Sequence, residues 1–103
     1  MLLTGAAIGA QRKPPEITAS PSRVKNGEIV MVKGTGFTPD RPVMSHMRRP
    51  NGTEYNPLRL RSNMQGELVH KIDTTMLDPG TFELWMEDEG SALSSNRVQF
   101  RVE

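Results

Sequence analysis

A chain of 103 residues is long enough for one domain with a single hydrophobic core and too short for two. The formal net charge of +1 gives no basic excess of the kind that binds nucleic acid or an anionic membrane surface. The absence of cysteine excludes disulfides, thiolate metal sites and a cysteine nucleophile.

The start of the chain differs from the rest. Residues 2–10 are apolar or small, but the basic residues follow this stretch, whereas a signal peptide carries them in front of it. A membrane span needs about 20 apolar residues, so the stretch is also too short to cross a bilayer. We expect residues 1–14 to form an N-terminal arm that lies against its own domain or a neighbouring subunit, and residues 15–103 to form the domain; a signal-peptide remnant or an artificial extension is the alternative. The candidate contacts of the arm are Leu2, Leu3 and Ile8.

The domain is organised around an apolar run in residues 27–39 that contains several β-branched side chains. It predicts a buried strand, in which successive side chains point to opposite faces. Val30 and Val32 would face the core, and Ile29 and Met31 would form a second apolar face that something must cover.

Two glycines and an aromatic residue end this strand. Gly34 and Gly36 allow backbone angles that other residues adopt only at a cost, so we expect a sharp corner, with Phe37 plugging the end of the core. The same residues are not a phosphate-binding loop, because the third glycine and the lysine of such loops are missing and no helix follows.

The remaining strand-like runs are short and alternate with turn signals. Residues 16–20 predict an edge strand, which residues 22–25 continue after the interruption at Pro21. Five later runs, at 42–49, 55–61, 67–73, 81–87 and 97–102, also place apolar side chains at every second position. About seven such strands, with a turn signal roughly every ten residues, predict a two-sheet antiparallel β-sandwich. The run at 42–49 places Val43, Ser45 and Met47 on one face, the run at 67–73 places Leu68, His70 and Ile72 on one side, and the weaker run at 55–61 has Leu58 and Leu60 as its apolar positions. The inward positions of the last two runs are Phe82, Leu84, Met86, Val98, Phe100 and Val102.

Four segments in this order resemble immunoglobulin-like domains of the bacterial and viral IPT/TIG kind: PSRV at 21–24, GEIVMVKGTGF at 27–37, LDPGTFELW at 77–85 and SSNRVQFRV at 94–102. The resemblance covers residues 15–103. It implies an immunoglobulin-like β-sandwich with binding or structural roles, as repeats in surface proteins or as small accessory domains on virus particles. Its motifs carry no active site. Phe82 stands where many such domains place a corner tyrosine, so the hydroxyl of that corner is missing here.

No pattern of residues predicts catalysis, a cofactor or a metal. His46 and His70 are the only histidines and lack the spacing of a zinc site. The serines of residues 91–95 lie in a polar loop without the glycines of a nucleophile elbow. Residues 87–89 are acidic, but their spacing does not match a calcium loop and is typical of a solvated turn. We therefore expect no enzyme.

Two apolar surfaces point to a protein partner. Met44 and Trp85 would point outward from neighbouring strands, and tryptophan is enriched at interface hot spots. The alternative is that Trp85 lies flat against the stems of Arg97 and Arg48. The candidate partner-binding residues are Leu2, Leu3, Ile8, Ile29, Met31, Met44 and Trp85, and the arm is the nearest candidate to cover Ile29 and Met31.

The first functional hypothesis is a non-catalytic structural protein of a virion, such as a bacteriophage head decoration or accessory protein. The arm and a sheet face would hold it at the virion surface, against capsid subunits or copies of itself. The alternative is an adhesion or ligand-binding module of a bacterial cell-surface or secreted protein. Nucleic acid is disfavoured, because the basic middle of the chain lacks interleaved aromatic residues. Carbohydrate recognition by loops lacks its usual aromatic platform.

Overall fold

Residues 13–103 are described by the computed structural model and contain nine β-strands and no helix. The candidate contacts Leu2, Leu3 and Ile8 lie outside these residues, so the arm stays a prediction. The strands are β1 (Glu16–Ser20), β2 (Arg23–Val24), β3 (Ile29–Thr35), β4 (Pro42–Arg48), β5 (Leu58–Arg61), β6 (Leu68–Asp73), β7 (Gly80–Asp88), β8 (Leu93–Ser94) and β9 (Val98–Val102).

The strands form two sheets. The three-stranded sheet has the order β1-β3-β6, and the six-stranded sheet has the order β2-β9-β7-β4-β5, with β8 paired to β7. All pairs are antiparallel except β2 with β9. The predicted all-β antiparallel sandwich is therefore confirmed.

The core lies between the sheets and follows the period-two pattern of the sequence. Val30 and Val32 of β3 are fully buried, and Phe82 of β7 stacks on Phe100 of β9 with ring centroids 5.3 Å apart. Stacked aromatic rings in a core contribute more than their buried area alone. The other buried apolar residues are Ile17, Val24, Phe37, Val43, Leu68, Ile72, Leu84, Met86 and Val102.

The first predicted edge strand divides between the two sheets. Ser20, at the end of β1, pairs with Met31 of β3, whereas Arg23 of β2 pairs with Arg101 of β9. Pro21 lies between them and has no N–H to continue the ladder with β3, so the chain crosses to the other sheet there. The expectation that residues 22–25 simply continue the first strand is wrong.

The corner after β3 has Phe37 in the core and a bend at Gly36, as expected, but Gly34 is not part of the bend. Phe37 is buried and plugs the core, and Gly36 has a φ of +79°. Gly34 lies within β3, where the nearest atom of the Phe37 ring would be 2.6 Å from an added Cβ. Gly34 is therefore needed for close packing rather than for a bend.

The expectation that residues 87–89 form a solvated acidic turn is wrong at Asp88, because this residue is fully buried. Its Oδ2 accepts hydrogen bonds from Thr38 Oγ1 at 2.8 Å, Thr38 N at 3.1 Å and Ser91 Oγ at 2.7 Å, and its Oδ1 accepts one from Gly90 N at 3.3 Å. Burial raises the pKa of Asp88, but the hydrogen bonds from Ser91, Thr38 and Gly90 outweigh it and hold that pKa below its usual value. The carboxylate fastens the corner after β3 to the end of β7.

The chain enters and leaves the sandwich at opposite ends. Glu16 is paired with Thr35 at the end of the domain that holds Phe37 and Asp88, here called the Phe37 end. Val102 is paired with Gly80 at the other end, called the Thr74 end, where Thr74 Oγ1 donates to the Glu28 carbonyl at 2.7 Å.

Candidate interaction surfaces

Trp85 lies on the outer face of the six-stranded sheet and is packed on several sides. It pairs across the ladder with His46 of β4, whose ring stacks on the indole with centroids 5.3 Å apart and planes 6° apart. The Arg97 guanidinium lies 3.9 Å from the centroid of the indole, and that of Arg48 lies 5.5 Å away. Cations over an aromatic face are attracted by its quadrupole. The indole is half-buried as a result.

Glu83 holds the two arginines around Trp85. Its Oε1 accepts a hydrogen bond from Arg97 Nη1 at 3.0 Å and lies 3.4 Å from Arg48 Nη1. Arg48 also pairs with Glu54 at 3.5 Å. The sequence left open whether Trp85 contacts a partner or lies against the side chains of Arg97 and Arg48. In the structure the indole lies against both arginines. A partner contact at Trp85 stays a prediction.

Met44 is the second predicted contact on this face. It is half-buried and lies between Glu87 of β7 and Arg59 of β5 in the ladder. Both ladder neighbours of Met44 are charged residues, and Glu87 Oε1 also lies 3.7 Å from His46 Nε2. The structure thus places Met44 and Trp85 on one face, as predicted.

The outer face of the three-stranded sheet is less occupied. Ile29 is 44% exposed and Met31 is half-buried, on the face opposite to Val30 and Val32, as the alternation predicts. Val69 of β6 is 60% exposed on this same face, where it pairs with Lys33 of β3. Sequence reasoning missed Val69, although the inward positions of Leu68 and Ile72 imply that residue 69 points outward.

The basic residues of this face are Lys33 and Lys71. No ion pair within residues 13–103 involves Lys33 or Lys71, which lie beside Val69 and Met31 in the ladder. Among the described residues, the face therefore offers three apolar side chains and two ammonium groups without an ion pair, with the carboxylates of Glu16 and Asp73 near its ends. Such a combination suits a partner with apolar and charged groups.

The arm would approach this face from the end remote from Ile29. β1 begins opposite Thr35, and Ile29 lies six residues away along β3, or roughly 20 Å at the usual rise per residue. An arm in the same chain must run along the whole of β3 before it can cover Ile29.

The sandwich is open on the side where β5 and β6 end their sheets. A groove of about 500 Å³ lies between these strands, lined by Leu60, Leu68 and Val69 together with polar residues. Leu58 of β5 is 48% exposed, and Met64, in the connection from β5 to β6, is 69% exposed. No sequence signal locates this groove, because strand order across two sheets is a tertiary property.

Side chains that could take part in catalysis or bind a ligand lie far apart in the sequence and in different strands and loops. His70 is half-buried on β6, and burial lowers its pKa. A smaller cavity of about 250 Å³ lies near the Thr74 end, where the Arg49 guanidinium sits 3.7 Å from the centroid of the Tyr55 ring.

Between Lys13 and Glu103, no three His, Asp or Glu side chains are grouped to hold a metal ion. The described residues also form no helix of the length and hydrophobicity needed to cross a membrane.

Comparison with known proteins identifies the fold. No family model matches the chain, and no curated protein matches it. The crystal structure of CHIR-AB1 is similar, with a TM-score of 0.54 and 20% sequence identity over 88% of this chain and 99% of that one. A CARDB domain from Pyrococcus furiosus, solved in complex with di-metal ions, gives a TM-score of 0.48 and 18% identity over 86% of this chain and 90% of that one. The chain thus has an immunoglobulin-like β-sandwich fold, as the resemblance implied.

Proposed function

We propose that this protein is a non-catalytic structural module that attaches to neighbouring subunits of a larger assembly. The single observation that carries the proposal is the outer face of the three-stranded sheet, where the exposed Ile29 and Val69 and the half-buried Met31 lie beside Lys33 and Lys71, two lysines that form no ion pair within residues 13–103. Interfaces bury such apolar groups and match such charges. The apolar stretch near the start of the chain supplies a second attachment element.

The assembly we propose is a virion, with the protein on its surface as a bacteriophage head decoration or accessory protein. The partners are then capsid subunits or further copies of the chain, and no cofactor, nucleic acid or membrane span takes part. The support is the family resemblance, together with an apolar stretch near the start of the sequence and a sheet face on which Ile29 and Val69 are exposed. Neighbouring genes for capsid proteins would favour this setting.

Two variants test the attachment. We expect Ile29→Ser with Val69→Ser, and separately a chain lacking residues 1–12, to associate more weakly than the full chain in light scattering or in sedimentation with capsids. Gln99→Ser, on the outer face of the six-stranded sheet, is the matched control. If both variants associate as tightly as the full chain, the proposal is wrong.

A second candidate is an adhesion or ligand-binding module of a bacterial cell-surface protein, in which such domains follow one another in tandem. The observation in its favour is that the chain enters at the Phe37 end and leaves at the Thr74 end, as a linear array requires. A gene that encodes several similar domains in one reading frame would favour this candidate over the virion.

A further inference from the structure

We infer that residues 2–8 of a second copy of this chain add as an extra strand along β6, at the open side where β5 and β6 end the two sheets. The inference rests on the proposed function and names the surface that receives the arm. The outer face around Ile29 and Met31 is then left for the body of the neighbouring subunit.

The two lateral sides of the sandwich differ in how their strand edges are covered. On one side the Asn96 side chain caps β1, because Ile17 N donates to Asn96 Oδ1 at 2.8 Å and Asn96 Nδ2 donates to the Ile17 carbonyl at 3.0 Å. β2 covers β9 on the same side. On the other side β5 pairs only with β4, and β6 only with β3, in the part of the chain that the structure describes.

A strand with one neighbour leaves alternate N–H and C=O groups free to pair with another chain. An extended segment can add to such an edge, with main-chain hydrogen bonds supplying affinity and side-chain pockets supplying specificity. β6 meets both conditions, because the groove beside it is lined by the apolar side chains of Leu60, Leu68 and Val69.

Exposed apolar groups are concentrated around this groove. Five large apolar side chains are exposed among residues 13–103, and three of them, Leu58, Met64 and Val69, belong to β5, β6 or their connection. Edge strands of soluble proteins usually carry charges or prolines that block pairing. β6 carries such charges at Lys71 and Asp73, but its first two residues, Leu68 and Val69, are apolar and Val69 is 60% exposed, which favours an apolar occupant beside them.

The arm fits this requirement. Residues 2–10 contain no charged residue and have small or apolar side chains at nearly every position. The twelve residues before Lys13 span up to about 40 Å when extended, about twice the length of the six-residue strand β6.

The path of the chain favours a second copy over the same one. The arm joins the domain at β1, and β1 and β6 lie at opposite edges of the three-stranded sheet. Pro14 and Pro15 restrict the backbone to extended conformations just before β1. An arm returning to its own β6 must reverse and cross the Phe37 end, whereas the open side of a neighbour requires no reversal. Such an exchange joins two different surfaces and produces rings or filaments.

Crosslinking of single-cysteine variants tests the inference, since the chain has no cysteine of its own. Full-length Leu3→Cys is mixed with full-length Val69→Cys and treated with a short bismaleimide. The control partner is Thr18→Cys, because Thr18 and Val69 both pair with Lys33 and lie on the same face at opposite edges of the sheet. We expect a dimer with Val69→Cys in at least tenfold excess over the dimer with Thr18→Cys.

Equal yields with the two partners, or a full chain that stays monomeric at every concentration, would overturn the inference. A chain that carries both Leu3→Cys and Val69→Cys and crosslinks mainly within itself would also overturn it, because its β6 would then bind the arm of the same chain.

Deletion of residues 1–12 distinguishes a failure of this inference from a failure of the proposed function. If deletion weakens association while Val69 is not crosslinked, only this inference fails; if deletion and the sheet-face variant both leave association unchanged, the proposed function fails.

Discussion

The basic residues of the two sheets differ: the six-stranded sheet has arginines and the three-stranded sheet has lysines. This difference affects how strongly the side chains of each outer face contact one another. All arginines among the described residues lie in the six-stranded sheet or in the loops that flank its strands, whereas the three-stranded sheet carries Lys33 and Lys71. The planar guanidinium stacks on aromatic rings and forks onto carboxylates, but the ammonium is a compact, strongly hydrated charge. The arginines of the six-stranded sheet therefore contact Trp85 and Glu83 on their own face, whereas Lys33 and Lys71 form no ion pair within the described residues.

This contrast changes how a surface tryptophan should be interpreted. Trp85 is the only tryptophan of the chain, and composition alone marks it as an interface residue. Its neighbours His46 and Arg97 already supply the contacts that a partner would make. The less conspicuous Ile29 and Val69 are 44% and 60% exposed. Accessibility, rather than residue type, therefore favours the three-stranded sheet as the docking face.

The largest expected change in stability comes from the core between the two sheets. Phe100→Ala removes the ring that stacks on Phe82 and leaves a cavity, so we expect the free energy of unfolding to fall by about 3–5 kcal/mol. Denaturant unfolding measures it. Gln99→Ala, one residue away on the outer face, is the control and should change stability by no more than about 0.5 kcal/mol. Similar results for the two variants would contradict the strand assignment.

The next prediction concerns the bond between the sheets at the Phe37 end. Asp88→Ala removes the carboxylate that accepts hydrogen bonds from Thr38, Ser91 and Gly90, and we expect the free energy of unfolding to fall by about 2–4 kcal/mol. The exposed Glu89→Ala is the matched control. Because the pKa of Asp88 is lowered in the folded state from an ordinary value of 3.8, its stabilisation is complete above that pH and is lost as the pH falls through the lowered pKa. Asp88→Asn should flatten this acid dependence, and an unchanged profile would contradict the assignment.

A smaller effect is expected at the arginine that covers Trp85. Arg97→Ala removes the cation over the indole and the hydrogen bond to Glu83, so we expect a loss of about 1 kcal/mol and a red shift of tryptophan emission. Arg97→Lys keeps the charge but not the planar stack, and should recover only part of the effect. Emission that is identical in all three proteins would show that the ring is not covered.

The smallest effect on stability is expected on the three-stranded sheet. Ile29→Ser removes an accessible side chain, so the free energy of unfolding should change by no more than about 0.5 kcal/mol. Val30→Ser, its buried neighbour, should be strongly destabilising. If Ile29→Ser destabilises the isolated monomer as much as Val30→Ser, the residue is part of the core and the docking face is misassigned.

Much of the fold follows from period-two alternation, which correctly separates Val30 and Val32 from Ile29 and Met31. The same rule could have found the buried Asp88, because it continues the inward series of Phe82, Leu84 and Met86; three adjacent acidic residues obscured it. The order of the strands could not be predicted, since it depends on long-range pairing. For that reason the groove beside β6 and the cap of Asn96 on β1 have no signal in the sequence.

The opposite positions of the two chain ends have a mechanical consequence. Tension applied between Lys13 and Glu103 pulls β1 along its length, past the strand with which it pairs. Hydrogen bonds of an antiparallel ladder run perpendicular to the strands, so this load shears the whole β1–β3 register at once and cannot unzip it bond by bond. A domain in this geometry resists extension with its ladder acting as a single clamp, which suits a link in a shell or an array that bears load.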